Sequence, residues 1–172
     1  MMMNRKYLGF FAAGALALLN MTSFSLAAHH SIQRESLGGL KGIYVSIERI
    51  APEIRDDGLT ENLMRKDVEL MLRTAGIKVF SKKEWFDVEG SPCLYVNANV
   101  LKLPATREYI YSVNLSLKQT VYPIRKAIEI PGAATWSMGG VIGITPDLDK
   151  IRASLKEQVA GFIKAYLSVN PK

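Results

Sequence analysis

GLTENLMRKDVELMLRTAGIKVF, residues 58–80, holds a helix start, a helix stop and a strand in one short stretch. The Thr60 hydroxyl is placed to cap first-turn amides, and Glu61 sets a negative charge at the positive end of the helix dipole. Leu63, Met64, Val68, Met71, Leu72 and Ala75 recur at spacings of three and four, while Arg65, Lys66, Glu69 and Arg73 fall mainly on the other side. That spacing predicts a helix with one buried face. Gly76 stands where a left-handed residue ends a helix, and Ile77 to Phe80 then reads as a strand. Upstream, GIYVSIERI (residues 42–50) alternates Ile43, Val45 and Ile47 against Tyr44, Ser46 and Glu48. The three pieces predict a right-handed β-α-β unit with parallel strands.

Downstream the period changes from helix to strand. Residues 93–103 place Leu94, Val96, Ala98 and Val100 against Tyr95, Asn97 and Asn99. Residues 109–122 set Tyr111, Val113, Leu115, Leu117 and Val121 opposite Ser112, Asn114, Ser116, Lys118 and Thr120. With a third strand over residues 133–141, carrying Trp136 and Met138, these predict an antiparallel meander. Ser81 to Glu84 fits a capping box, with Trp85 and Phe86 returning to the core. Thr145 and Pro146 read as the cap and first position of a last helix, whose apolar positions run from Leu148 through Ile151, Leu155, Val159, Phe162 and Ile163 to Tyr166. The fold expected is α+β, a two-layer sandwich: a mixed five-stranded sheet, the β-α-β unit followed by the meander, with two long helices on one face.

The N-terminus has a separate role. Arg5 and Lys6 precede the apolar run Leu8 to Leu19, and Ser25, Leu26 and Ala27 follow it, so residues 1–27 read as an export signal and Ala28 as the mature start. No cysteine lies near the cut, which argues against a lipid anchor, and no later apolar run is long enough for a transmembrane segment. Localisation is therefore expected to be periplasmic or secreted. Residues 28–41 are polar and aperiodic and are expected to be a flexible lead-in to a single domain over 42–172. The chain carries 22 basic and 16 acidic residues, net +6. Arg5 and Lys6 leave with the signal, so 20 stand against 16, a mild +4. The charges are interleaved, without the basic stripe that nucleic acid demands. Cys93 has no intramolecular partner, and it is either buried or paired between molecules.

Few residues announce chemistry. His29 and His30 are the only histidines and lie beside the cut. The folded body thus lacks the imidazole that would activate a serine or cysteine nucleophile, and catalysis there would fall to carboxylates or lysine, whose acids read as solvated helix faces and turns. A mature start Ala28-His29-His30 offers an amine and a third-position imidazole, a pattern that wraps copper(II) or nickel(II) in a square plane; an accidental histidine in a tail stands beside that reading. The segment PEIRDDG, residues 52–58, lacks the later oxygen ligands of a calcium loop and reads as a solvated turn. Gly139, Gly140 and Gly143 match no phosphate-binding fingerprint, and Asp147 and Asp149 oppose an anion there; they read as strand-end flexibility or a bulge.

Two features point to binding. The polar strand face, Asn97, Asn99, Ser112, Asn114, Ser116 and Thr120, offers hydrogen bonds to a partner or ligand, and a sheet merely wetted by water looks the same. The connection Pro123 to Pro131 carries Ile124, Arg125, Lys126 and Ile128, and its isoleucines either tuck under the core or mark a docking loop. The succession GIYVSIE, DGLT, DVELMLRTAGIKV, EW, LYVNANVLKL, YSVNLSLKQTVYP, ATWSMGG and FIKAYLSVNP resembles a family of uncharacterised exported bacterial proteins. The likeness covers nearly all of the mature chain; it implies an envelope or secreted origin and carries over no catalytic residue. In layout the chain is also similar to small α+β modules of envelope accessory proteins, such as the amino-terminal domain of the Tol system's periplasmic component. The expected role is a non-enzymatic exported domain of the cell envelope, with no cofactor, that binds a macromolecular partner. A small-ligand or metal-binding periplasmic protein is the alternative.

Overall fold

A computed structural model describes residues 31–171. The expected export signal, the cut at Ala28 and the histidine pair lie outside them. The described chain is α+β. Residues 31–35 are helical, and the elements that follow are β1 (Tyr44–Ile47), α1 (Pro52–Asp56), α2 (Glu61–Thr74), α3 (Lys82–Phe86), β2 (Cys93–Leu103), β3 (Glu108–Val121), β4 (Ile130–Thr145) and α4 (Leu148–Val169). One mixed sheet runs β1-β2-β3-β4, parallel between β1 and β2 and antiparallel thereafter.

The opening stretch folds as its residues dictate at both ends of α2. The Leu63 amide donates to the Thr60 hydroxyl. At the other end Gly76 takes φ +80°, the Ile77 amide donates to Leu72 O and the Gly76 amide to Arg73 O, both at 2.9 Å. That pair of bonds is a Schellman stop, and it needs the left-handed residue glycine supplies. The fifth expected strand does not form. Only four residues separate Gly76 from Ser81, which already caps α3 through a complete capping box with Glu84. Residues 77–80 therefore make a single parallel bridge, Ile43 with Val79, held by two backbone bonds of 2.9 Å. The ladder partner of β1 is β2 instead, with Tyr44 opposite Cys93 and Ile47 opposite Val96.

Four other expectations are corrected. Pro52 to Gly58 is mostly helix α1, which opens on Pro52 and buries Ile54. The lead-in is docked over its described part: Leu37 is fully buried, Asn170 Nδ2 donates to Leu37 O, and the Tyr166 hydroxyl donates to Leu40 O. One leucine and a few backbone carbonyls suffice, and neither leaves a periodic pattern. The cap of α4 is Asp147, whose carboxylate accepts from the Asp149 amide. Thr145 is still in β4, because a residue before proline is held extended. Trp85 is only half-buried, stacked on Tyr44 at 4.9 Å, and Phe86 is exposed.

The core lies between one face of the sheet and the two long helices. Val45, Ile47, Leu94, Val96, Val113, Leu115, Leu117 and Trp136 meet Met64, Val68 and Leu72 of α2 and Ile151, Leu155, Val159 and Phe162 of α4. Trp136 meets Phe162 edge to face at 5.1 Å. Gly161 permits this approach of β4, since a Cβ there would lie 2.6 Å from the Met138 sulfur. Between Val113–Val141 and Leu115–Met138, Gly139 and Gly140 stand against the one residue Asn114, a bulge whose Gly139 carbonyl accepts from buried Gln158.

Candidate functional site

Because strand side chains alternate, the residues between the core positions face the other way. Register places them in three zones. At one end are Tyr44, Cys93 and Tyr95, with the Lys118 ammonium 3.3 Å from the centre of the Tyr95 ring. In the middle Asn97 stands opposite Asn114 and Tyr95 opposite Ser116, which pairs in turn with Ser137. At the far end Leu101 faces Ile110 and Ile110 faces Ile144, while Ser112 pairs with Ile142. These four apolar side chains are 59%, 36%, 62% and 80% exposed for Leu101, Ile110, Ile144 and Ile142.

Branched side chains in register across three strands form a contiguous patch, and such patches are uncommon on a surface with no binding role. Beside it a shallow groove of about 300 Å³ runs between Arg49, Ala51, Asn99, Leu101, Ser112 and Ile142. It arises because β1 stops at Ile47 while β2 continues to Leu103, so the far half of β2 has no strand paired on that side. The patch thus has an apolar centre with amide, hydroxyl and guanidinium groups at its margin, the composition of a protein-binding surface.

The predicted site residues fall into two separate groups. Asn97 and Asn114 are cross-strand partners on the open face, and Asn114 is exposed. Asn97 is committed, donating to the Glu48 carboxylate and accepting from Asn99 Nδ2 at 2.7 Å. The same Glu48 carboxylate raises the pKa of the Tyr95 phenol above its ordinary value. Ile124, Arg125, Lys126 and Ile128 lie on the β3–β4 connection and are all exposed. Of the two readings of that segment, tucked or displayed, the second describes its isoleucines. Seven residues of strand separate Asn114 from the end of β3, roughly 24 Å, so the two groups do not form one site. His29 and His30 fall outside the described residues.

Leu101, Ile110, Ile142 and Ile144 were not among the residues singled out from sequence. Their signal was phase: continuing Asn97, Asn99 by two gives Leu101, and stepping back from Asn114, Ser112 gives Ile110.

Other polar clusters hold structure together. Lys102 Nζ contacts both Asp57 oxygens at 2.7 and 2.8 Å, and the Tyr109 hydroxyl donates to the same carboxylate at 2.8 Å. These bonds hold Asp57 below the usual carboxylate range and raise the pKa values of Lys102 and Tyr109. Arg152 joins α4 to α2 through Asp67 at 2.9 Å. Cys93 is buried, and burial pushes its thiol up to about 11. A cleft of about 610 Å³ opens between Lys41, Lys78, Phe80, Asp87 and Gln119. Among the described residues no group of three or more His, Cys, Asp or Glu side chains is placed to hold a metal, and no helix is long and apolar enough to cross a membrane.

Fold and surface together define an α+β domain with its two long helices against one face of a mixed sheet and an apolar patch displayed on the other. No protein-family model matches the chain, and no curated protein matches it.

Proposed function

We propose that this chain is a non-enzymatic, exported domain of the cell envelope that binds a protein partner across the open face of its sheet. In architectural terms it is a two-layer sandwich that uses the layer without helices. The observation that carries the reading is the row of exposed branched side chains, Leu101, Ile110, Ile142 and Ile144, aligned across three strands beside a polar-rimmed groove. Desolvating such a row against a partner supplies the apolar centre of an interface, and Asn99, Ser112, Asn114 and Arg49 supply its polar rim.

A photoreactive amino acid placed at Ile142 of the full chain, expressed in its native cells, tests this. Discrete protein adducts are expected from position 142, and none from the same group at exposed Lys164 on α4. Leu101→Asp with Ile144→Asp should remove the adducts while the far-UV circular dichroism spectrum and a cooperative thermal transition are kept. Absence of adducts at 142, or adducts that persist in the double variant, would overturn the reading.

A further inference from the structure

The β3–β4 hairpin overshoots the rest of the sheet. β2 begins at Cys93, opposite Lys118, yet β3 and β4 go on pairing to Val121 and Ile130. Beyond Thr120, whose amide donates to Gly90 O, a single further pair, Val121 with Ile130, leads into a turn closed by residues 122–129. The tip is ordered by its own bonds: the Lys126 amide donates to Pro123 O, the Ile128 amide to Lys126 O, and the Tyr122 hydroxyl to the Glu129 carboxylate.

What the tip displays is unusual for a projecting turn. Ile124 is fully exposed, and Tyr122, Ile128 and Ile130 are exposed beside it. Arg125 and Lys126 stand between the isoleucines and make no ion pair among the described residues. Of the two nearby acids, Glu129 is engaged by Tyr122, and Glu89 stands close enough to raise the Tyr122 phenol further. The result is an exposed turn with an apolar end, two cations outside any ion pair and a tyrosine beside them. A turn this small offers little of the roughly 800 Å² per partner that a stable protein interface buries. A lipid surface makes no such demand, because apolar groups need only dip about 5–10 Å into the headgroup boundary while cations meet anionic headgroups.

We infer that the tip formed by Tyr122, Ile124, Arg125, Lys126 and Ile128 is a contact for an anionic lipid surface, Ile124 and Ile128 entering the interface and Arg125 and Lys126 pairing with headgroup phosphates. The site is independent of the open-face patch. Ile142 and Ile130 are twelve positions apart on β4, roughly 35–40 Å along the strand.

The test places an environment-sensitive dye on Ile124→Cys in the full chain. Buried Cys93, with its thiol at about 11, leaves the new cysteine to take the label. With vesicles of phosphatidylglycerol and phosphatidylcholine the emission should shift to the blue and be quenched by acyl-chain nitroxides. Arg125→Glu with Lys126→Glu should weaken that titration about ten-fold or more, and pure phosphatidylcholine should give a much smaller response. No shift with anionic vesicles would overturn the inference. So would an equal shift with neutral vesicles, a response unmoved by charge reversal, or capture of a protein by the tip without any vesicle response. Because the dye reports position 124 alone, failure here leaves the crosslinking result at Ile142 standing, and the converse holds.

Discussion

Leu115→Ala and Ile142→Ala each remove three carbons from the β3–β4 ribbon, and the face assignment requires them to behave differently. Leu115 is 1% exposed on the helix-covered face, whereas Ile142 is 80% exposed on the other. At about 0.8 kcal/mol per buried methylene, truncating Leu115 forfeits about 2.4 kcal/mol of transfer free energy. The cavity left against α4 brings the total to about 3–4 kcal/mol. For Ile142 only about one fifth of the transfer term applies, near 0.5 kcal/mol, and lost β-propensity adds at most about 1 kcal/mol. With a urea slope of about 2 kcal/mol/M, the midpoint should fall by about 1.5–2 M for Leu115→Ala and by at most about 0.75 M for Ile142→Ala. Equilibrium urea unfolding followed by far-UV circular dichroism reads both. Equal losses would mean that the second face is covered in the isolated protein, and the patch could not then be a docking surface.

Asp57 is held below the ordinary carboxylate range chiefly by Lys102, with Tyr109 second. A depressed folded pKa contributes stability that is complete above the unfolded value, about 3.9, and is lost as pH falls through the folded value. Asp57→Asn should therefore lower the thermal midpoint above about pH 4 and converge with the parent below it; parallel curves down to pH 2 would refute the linkage. Cys93, with its thiol raised to about 11 by burial, should react with a disulfide reagent at pH 8 about a hundred-fold or more slowly than in the urea-unfolded chain. A folded-state rate within a few-fold of the unfolded one would show that the thiol is accessible.

Where local chemistry decides structure, the residues could be read directly. Thr60, Ser81 with Glu84, and Gly76 do what their side chains or lack of one require, and the alternation of residues 93–103 and 109–121 assigns the faces of β2 and β3. What could not be read was set by competition between neighbours. The strand expected over residues 77–80 has adequate composition, but it is trapped between a Schellman stop and a capping box, which leaves room for one bridge. Docking of residues 36–40 depends on Asn170 and Tyr166, distant in sequence, and only the closed fold reveals it.

The site was half legible for a related reason. Polar alternation flagged Asn97 and Asn114, yet the same period run to the strand ends turns apolar at Leu101 and Ile110, and only the pairing of β3 with β4 adds Ile142 and Ile144 to the same face. An apolar side chain in the polar phase of a strand is therefore more informative than one in the apolar phase, because the core does not account for it. The connection from Pro123 to Pro131 obeys similar logic. Its Ile124 and Ile128 stand in the turn beyond the end of β3, past the start of β2 and away from both long helices, so no layer of the fold covers them. Strand length mismatch creates both surfaces: β1 ending early opens the groove beside Leu101, and β2 beginning late frees the hairpin tip.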